Sequence, residues 1–235
     1  MAGLIKGTVG FAMPLILVSG LSSFLDPRLA LAGILLPIVV SNALQTFRHG
    51  VGPALEAARE YWRYLITVCF FIFLAAQVVV MIPTQVFYLV LGVPVVTISI
   101  IQLAGLKLTI RPERRAATEW VVAAISGVLG GLAGTWGPTT VLYLLAVGTP
   151  KAQQMVVQGV IYGIGSITLF LAHVQSGILN PTTAPFSALL VIPGLIGMAI
   201  GFQIQDRLDQ DRFRTITLVV LIVAGLNLIR RGLLG

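Results

Sequence analysis

The chain has 235 residues, of which 57% are hydrophobic and only 10% charged, with a mean hydropathy of +0.99 and a net charge of +7. A soluble domain carries about 25% charged residues, so the composition excludes an ordinary soluble globule and favours an integral membrane protein embedded in a lipid bilayer. Excess Lys and Arg are typical of cytoplasmic connectors, and we expect no nucleic-acid partner. In a bacterium the chain would lie in the inner cell membrane.

The first half of the chain predicts a broken segment at 7–25, interrupted by Gly10 and Pro14. Apolar helices long enough to cross the hydrocarbon core are expected at 29–47, 62–82 and 85–106. A polar connector at 49–63 follows the 29–47 helix, and an interfacial helix is one interpretation of this connector.

The second half repeats this plan after a basic connector at 107–119. Residues 119–148 are apolar and are broken in the middle by the run Gly134-Thr-Trp-Gly137-Pro138. Apolar helices are then expected at 151–173, 184–204 and 212–231. We interpret 1–235 as one polytopic membrane domain, with residues 1–110 as a first repeat and 119–235 as a second.

The two breaks match in sequence. Gly7-Thr-Val-Gly10-Phe-Ala-Met-Pro14 recurs 124 positions later as Gly131-Leu-Ala-Gly134-Thr-Trp-Gly-Pro138. Paired broken segments in two apolar halves are typical of secondary transporters. We therefore predict an all-α membrane protein of two repeats, expected to be inverted, each with a glycine-broken re-entrant or discontinuous helix plus three transmembrane helices. If both breaks crossed the membrane, the halves would be parallel, and the Lys and Arg distribution hardly separates these arrangements.

All eight acidic residues are expected in connectors. They are Asp26, Glu56, Glu60, Glu113, Glu119, Asp206, Asp209 and Asp211. Carboxylates within membrane spans usually mark proton or cation relays, so their absence argues against a cation transporter, an aspartate protease and a metal-dependent hydrolase. We expect no enzyme activity, no cofactor and no metal site. His49 and His173 lie at span ends, where a structural role is the more common one.

The breaks favour an anion as ligand. A helix N-terminus presents free N–H groups and the positive end of the helix dipole, and proline suits its first turn. The candidate ligand-binding residues at the breaks are Gly10, Pro14, Gly134, Thr135, Trp136, Gly137 and Pro138. The alternative is that the glycines only allow helices to pack closely.

A polar face also appears on the first predicted helix. At 100° per residue, Ser41, Asn42, Gln45 and Arg48 share one side of an otherwise apolar helix. Arg48 could bind an oxyanion or extend to the membrane surface, and Asn42 and Gln45 could line a cavity or bond a neighbouring helix. Gln158 and Tyr162 occupy a matching face in the second half.

In order and spacing these motifs resemble the TauE/SafE family of sulfite and organosulfonate exporters. The residues that carry the resemblance are Gly7-x-x-Gly10-x-x-x-Pro14, Leu36-Pro37-Ile-Val-Val-Ser41-Asn42-Ala-Leu-Gln45-Thr-Phe-Arg48-x-Gly50, Gly130-Gly131-Leu-Ala-Gly134-x-x-Gly137-Pro138, Gly197-Met-Ala-Ile-Gly201 and Gly225-Leu-Asn-Leu-Ile-Arg230-Arg231. The resemblance implies a carrier for small sulfur-containing anions such as sulfite, thiosulfate or sulfonates.

The function predicted from the sequence is therefore alternating-access transport, with one anion site between the halves near the midplane. An anion channel or facilitator, and a membrane assembly subunit that transports nothing, are the alternatives.

Overall fold

The computed structural model describes residues 1–21, 24–78, 84–105, 109–134 and 136–234, and every regular element in these residues is a helix. The helices are α1 (Ala2–Val9), α2 (Met13–Leu21), α3 (Pro27–Phe47), α4 (Val51–Glu60), α5 (Trp62–Val78), α6 (Thr84–Leu103), α7 (Pro112–Ala133), α8 (Gly137–Ala146), α9 (Lys151–Gln175), α10 (Ala184–Leu189), α11 (Val191–Arg207) and α12 (Gln210–Leu234).

Four helical stretches in the described part are long and apolar enough to cross a membrane. They are Leu29–Phe47, Lys151–Gln175, Ala184–Arg207 and Gln210–Leu234, and they correspond to four of the six predicted spans. The other two predicted spans, 62–82 and 85–106, correspond to α5 and α6. Residues 79–83, between α5 and α6, lie outside the described part.

Both predicted breaks are present, and a glycine ends the helix before each of them. Gly10 has a φ of +87° and Gly134 a φ of +65°. Each donates its backbone N–H over 2.7 Å to the carbonyl four residues earlier, on Lys6 and Gly130 respectively. Left-handed backbone at a helix C-terminus favours glycine because glycine has no Cβ, so the sequence itself explains why α1 and α7 stop.

Each break is preceded by more helix than the sequence indicated. α1 already begins at Ala2, so the first break has a leading half-helix of eight residues. α7 begins at Pro112, seven positions before the predicted start at 119. Pro112 suits the first helical position and Glu113 complements the helix dipole, so polar residues that look like a connector extend the helix instead.

α1 packs closely against α11, with both helices running in the same direction. A Cβ added to Gly3 would lie 2.0 Å from the carbonyl oxygen of Gly194, and one added to Gly7 would lie 2.3 Å from that of Met198. The backbones are therefore in direct contact, as small residues allow in membrane helices.

α7 packs against α5 in the same way. A Cβ added to Gly127 would lie 2.7 Å from the carbonyl oxygen of Val68, and one added to Gly131 would lie 2.3 Å from that of Ile72. Glycine is therefore required in the leading half-helix of both broken segments.

α3 and α9 cross the centre of the bundle and run in opposite directions. Gly159 lies against the backbone of Gln45 and Thr46, while Asn42 reaches the carbonyl of Tyr162, further along α9. α6 and α12 pair in the same antiparallel manner through Gly92 and Gly225. The short helices α4 and α10 pack on α9 and α3 respectively, and α4 confirms that the 49–63 connector contains a helix.

Several helix ends meet at one end of the bundle, which we call the basic end. Its interacting side chains are Arg48, Glu60, Arg115, Lys151, Gln153 and Asp206. They join the end of α3, the α4–α5 corner, the start of α7, the start of α9 and the end of α11. α3 and α11 therefore run towards the basic end, and α7 and α9 run away from it.

Candidate functional site

The two broken segments meet at a small cavity in the middle of the bundle. It is lined by Lys6, Phe11, Ala12, Pro14, Leu15, Asn42, Gly134, Trp136, Gly137, Pro138 and Tyr162. Its volume is about 20 Å³, which is room for one water molecule. Residues from α1, α2, α3, α8 and α9 thus contribute to one site.

Lys6 is the basic residue among those that line this cavity, and it is not among the candidates predicted from the sequence. Its side chain is only 2% exposed. Its Nζ donates to Asn42 Oδ1 at 2.5 Å and lies 5.7 Å from the centre of the Tyr162 ring. Within the described part of the chain, Lys6 forms no ion pair with a carboxylate. A buried ammonium group without a counter-charge is an uncommon arrangement, because desolvating a charge is costly.

Asn42 fixes the position of this ammonium group. Its Nδ2 donates to the backbone carbonyl of Tyr162 at 2.9 Å, so its Oδ1 is free to accept from Lys6. Asn42 is 1% exposed and therefore packed in place. One amide consequently joins α1, α3 and α9 at the cavity.

The N-termini of α2 and α8 also reach the cavity. Pro14 and Pro138 stand in the first turn of these helices, and both line the cavity. The first N–H groups of a helix have no partner within it and carry the positive end of the dipole. Lys6 and two helix N-termini therefore give the cavity a positive electrostatic character.

Ala12, just before α2, has a φ of +73°. This left-handed conformation is uncommon for a residue with a Cβ and is the kind of backbone strain found at functional sites. Ala12 lines the cavity, so the strained turn belongs to the site.

Aromatic rings close the remaining walls. The rings of Trp136 and Tyr162 have centroids 6.3 Å apart at an angle of 63°, and the Tyr162 hydroxyl donates to the carbonyl of Gly137 at 3.1 Å. Phe11 packs against Gly137, where an added Cβ would lie 3.2 Å from the Phe11 Cβ. The site thus combines a few polar groups with apolar walls, as small-molecule sites do.

A family model described as "Sulfite exporter TauE/SafE" matches residues 1–228 of the chain. The chain belongs to the sulfite exporter TauE/SafE family. No curated protein and no solved structure matches it. Membership of a transporter family, together with four helices able to span a bilayer, makes the chain an integral membrane protein of that family.

In this TauE/SafE chain, seven of the residues selected from the sequence line the cavity. They are Pro14, Asn42, Gly134, Trp136, Gly137, Pro138 and Tyr162. Thr135 lies outside the described residues. The structure thus brings together the α3 face, the α9 face and both breaks at one place, and their role in substrate binding remains a prediction.

Gly10 and Gln158 contact each other and do not line the cavity. In the amide orientation that gives both of its polar atoms partners, Gln158 donates to the carbonyls of Val9 and Gly10 at 3.2 Å and accepts from Gln154. Carbonyls at a helix C-terminus lack partners within the helix, so Gln158 satisfies the end of α1. This contact holds the first break in position.

Ser41 and Gln45 are buried at the contact of α3 with its neighbours and do not line the cavity. The Ser41 hydroxyl donates to the carbonyl of Ile38 at 3.2 Å, and the Gln45 amide donates to that of Met155 at 3.2 Å. Of the two alternatives for Gln45, the structure places it in an interhelical hydrogen bond.

Arg48 lies at the basic end and not in the cavity. Its guanidinium group pairs with Asp206 at 2.6 Å, donates to Gln205 at 2.8 Å and stacks on the Phe202 ring, whose centre is 3.9 Å away. It joins the ends of α3 and α11, a contact that neither sequence-based alternative for Arg48 included.

The expectation that all acidic residues lie in connectors is wrong for Glu119, and Glu113, Asp206 and Asp211 also lie within helices, in their end turns. α7 begins at Pro112, so Glu119 lies inside the helix, where it is 1% exposed and accepts the backbone N–H of Tyr64 at 3.3 Å. At the start of the same helix, the hydrogen bond with Glu60 raises the pKa of Arg115 above its usual range. These groups organise the basic end and do not reach the cavity.

The two histidines also lie away from the cavity. His49 is exposed just beyond the end of α3, and His173 is buried near the end of α9 with its Nδ1 3.3 Å from the Ser176 hydroxyl. Their expected structural role remains a prediction.

Proposed function

We propose that the chain is a secondary carrier that exports small sulfur-containing anions such as sulfite, thiosulfate or organosulfonates, by alternating access through the central cavity. The observation that carries this proposal is Lys6: a buried ammonium group at the meeting point of both breaks, with an amide partner but no carboxylate in the described part. The TauE/SafE family supports the class of anion.

The chemistry of the cavity suits an oxyanion. A bound anion supplies the counter-charge that Lys6 lacks, which offsets the cost of burying the ammonium group. The N–H groups at the starts of α2 and α8 approach the same space and favour negative charge. Asn42 holds the ammonium group in place, so little reorganisation is needed on binding.

We also propose that α1–α6 and α7–α12 are inverted repeats, which correspond to the predicted repeats 1–110 and 119–235. A contact made by a helix of one half recurs between the equivalent helices of the other half. α1 packs on α11 as α7 packs on α5, and α10 packs on α3 as α4 packs on α9. Two equivalent helices also contact each other directly in the pairs α3–α9 and α6–α12. The antiparallel direction of these equivalent pairs supports inversion, since parallel repeats would place equivalent helices in the same direction.

The path of the second break supports re-entry. Ile110, just before α7, donates its N–H to the carbonyl of Ala146, the last residue of α8, at 3.0 Å. The α7–α8 segment therefore leaves and returns to the same end of the bundle. α1 runs in the direction of α11, whose C-terminus lies at the basic end, so α1 enters from the opposite end.

A carrier fits the cavity better than a permanently open pore does. Room for one water molecule is too small for an oxyanion of sulfur, so the walls must move apart for substrate to enter. The ion pairs at the basic end supply contacts that such a movement would break and remake.

The proposed function is tested by counterflow in proteoliposomes. Vesicles with purified protein are loaded with unlabelled sulfite and diluted into radiolabelled sulfite, under nitrogen to prevent oxidation. A carrier gives transient accumulation of label above equilibrium, whereas a pore gives only equilibration. Absence of any protein-dependent flux would contradict the proposal.

A carboxylate placed next to Lys6 should block binding. In Asn42→Asp the new carboxylate replaces the amide oxygen that accepts from Lys6, so it neutralises the ammonium group and repels an incoming anion. We expect sulfite affinity to fall about tenfold or more, measured by titration calorimetry on purified protein. Aspartate cannot donate to the Tyr162 carbonyl as the Asn42 Nδ2 does, so the thermal midpoint should also fall by several degrees.

Asn180→Asp is the matched control for that variant. Asn180 accepts two backbone N–H groups in the turn before α10, and aspartate can keep both bonds. Like Asn42→Asp, it loses one bond donated to a backbone carbonyl, here the exposed one to Gly177, and it adds the same negative charge away from the cavity. We expect wild-type affinity. An unchanged affinity in Asn42→Asp would contradict a site centred on Lys6.

Removing one ion pair should ease opening at the basic end. Asp206→Asn breaks the ion pair with Arg48. The Arg48 side chain is 17% exposed and that of Asp206 is 59% exposed, so we expect the free energy of unfolding to change by no more than about 1 kcal/mol. Opening is measured through a cysteine placed in the cavity, Leu15→Cys in a Cys69→Ser background. This cysteine should react severalfold faster with a membrane-impermeant thiol reagent when Asp206→Asn is present than when Asp206 is retained.

Asp209→Asn is the control for opening. Asp209 pairs with Arg212 on its own helix end and caps α12 through the Arg212 N–H, and asparagine can keep that cap. The Asp209–Arg212 ion pair lies within the start of α12 and connects it to no other helix. Its loss should therefore leave the labelling rate of the Leu15→Cys thiol unchanged. Equal rates in Asp206→Asn and the wild type would show that the Arg48 pair does not restrain opening.

A further inference from the structure

We propose a second oxyanion-binding site, between α6 and α12 near the basic end, formed by Gln102, Arg214 and Thr217 with Ser99 one turn deeper in the bundle. None of these four residues lines the central cavity, so the inference does not rest on transport through it. The ligand is a tetrahedral oxyanion such as phosphate, either free in solution or as the headgroup of a membrane lipid.

α6 and α12 bring this site together because they run in opposite directions along one contact. They touch through Gly92 and Gly225, where a Cβ added to Gly225 would lie 3.3 Å from the carbonyl oxygen of Gly92. Nearer the end of α6, Arg214 Nη2 donates to Gln102 Oε1 at 2.9 Å. The two contacts fix the register of the pair and place Gln102 opposite the first turns of α12.

Three buried polar atoms at this contact have no hydrogen-bond partner. They are Gln102 Nε2, Ser99 Oγ and Thr217 Oγ1, on residues that are 3%, 0% and 0% exposed. Ser99 precedes Gln102 by three residues and Thr217 follows Arg214 by three, so each lies on the same helical face as its neighbour. Buried polar groups in proteins have partners almost without exception, so this contact is suited to a polar ligand.

The chemistry of the site favours a negatively charged ligand. The guanidinium group of Arg214 pairs with no carboxylate among the described residues. It offers five N–H donors in a planar fork that matches an oxyanion, and its bond to Gln102 uses one of them. The Gln102 amide and the two hydroxyl groups add neutral donors. A set of donors with one positive charge attracts an oxyanion and repels a cation.

The arrangement resembles the one at the central cavity. There, Lys6 is held by the amide oxygen of Asn42 at 2.5 Å, as Arg214 is held by that of Gln102. In both pairs the amide orients the basic group and leaves its charge uncompensated. The same argument that makes the cavity an anion site therefore applies between α6 and α12.

The site is reached from the basic end. Gln210, the first residue of α12, accepts the backbone N–H of Lys151 at 2.7 Å, and Lys151 belongs to that end of the bundle. Arg214 is about one turn further along α12 and is half-buried, whereas Gln102 and Thr217 are buried. An anion at the membrane surface would therefore meet Arg214 first.

Gln102→Glu tests the site by giving Arg214 an internal counter-charge. The new carboxylate replaces the amide oxygen that accepts from Arg214, and the lost amide N–H group has no partner, so no existing hydrogen bond is removed. We expect the thermal midpoint in detergent to stay constant or rise, and phosphate affinity at this site to fall about tenfold or more. Gln175→Glu is the control, because Gln175 is exposed at the far end of α9.

Arg214→Gln is the second variant and removes the charge itself. Arg212→Gln is its control, since Arg212 has a side chain that is 76% exposed and pairs within its own helix end. We expect Arg214→Gln to lose phosphate binding at this site as Gln102→Glu does, and both controls to bind as the wild type does.

Two probes separate the sources of the oxyanion on purified full-length protein. Titration calorimetry with inorganic phosphate, in the wild type and in Lys6→Gln, detects a free anion bound outside the cavity. Thermal midpoints with dioctanoylphosphatidic acid, compared with dioctanoylglycerol, which lacks the phosphate, detect a headgroup. Binding of either probe that persists in Lys6→Gln and is lost in Gln102→Glu and Arg214→Gln supports the site and identifies its source.

The proposal is overturned if neither probe binds, or if both bind Gln102→Glu and Arg214→Gln as tightly as the wild type. Sulfite counterflow would be untouched by that result, because it tests the central cavity. Absence of counterflow together with phosphate binding that depends on Arg214 would contradict the proposed function and leave this second site standing.

Discussion

Replacing Lys6 with glutamine is expected to lower sulfite affinity by about a hundredfold or more. Removing one member of a buried, hydrogen-bonded charge pair costs roughly 2–5 kcal/mol of binding free energy. The glutamine amide can still donate to the Asn42 oxygen that Lys6 contacts at 2.5 Å, so local packing is retained. Titration calorimetry with sulfite measures the loss.

The same variant has a second expected effect that separates binding from folding. Because Lys6 is buried without a carboxylate partner in the described part of the chain, its replacement removes a desolvation cost and breaks no ion pair. We expect the thermal midpoint in detergent to stay constant or rise. A fall in both affinity and stability would indicate that Lys6 has a structural role.

Arg59→Gln is the matched control for the Lys6 variant. Arg59 is exposed on α4, and its substitution removes the same charge from the chain. We expect wild-type affinity and wild-type counterflow from this control. If Lys6→Gln bound sulfite as well as Arg59→Gln does, the central site would be excluded.

Replacing Gly7 with alanine is expected to destabilise the fold by roughly 1–3 kcal/mol or more. The added Cβ would lie 2.3 Å from the carbonyl oxygen of Met198 and 2.8 Å from the Cα of Gly201, and backbone atoms cannot rotate away as a side chain can. α1 and α11 would have to separate. Thermal unfolding in detergent should show a midpoint lower by several degrees.

Gly131→Ala should behave in the same way, because its Cβ would lie 2.3 Å from the carbonyl oxygen of Ile72. Gly52→Ala is the control, since Gly52 is in helix α4 with no heavy atom near an added Cβ. Alanine there should stabilise by about 1 kcal/mol or less. A Gly7→Ala variant as stable as the wild type would contradict the close contact of α1 with α11.

The sequence predicted the four helices that are long and apolar enough to cross a membrane, because the hydrophobic requirement of a bilayer acts on each span separately. It also placed both breaks, because left-handed backbone at Gly10 and Gly134 needs glycine whatever surrounds it. Helix starts were less accurate: α7 begins at Pro112, since polar residues that leave the membrane can continue a helix.

Residues of the site were predicted where a break or a polar helical face exposed them. The polar face of α3 contains Asn42, which lines the cavity, and Arg48, which shares that face six residues further on. At 1.5 Å per residue it lies about 9 Å along the helix, at the basic end. A polar helical face indicates the side of the helix on which a residue projects. How deep that residue lies in the bundle depends on the position of the helix among its neighbours.

Lys6 was missed because a lysine near the start of an apolar segment looks like an ordinary anchor at the membrane surface. One feature could have indicated it: Lys6 lies between Gly3 and Gly7, on a half-helix whose end is fixed by Gly10. The sequence by itself determined that this chain is a membrane protein with two broken segments, because these properties depend on local composition and backbone geometry. Only the tertiary structure decided that Lys6 faces Asn42 and that Arg48 faces Asp206, because burial and pairing depend on which helices meet and in which direction they run.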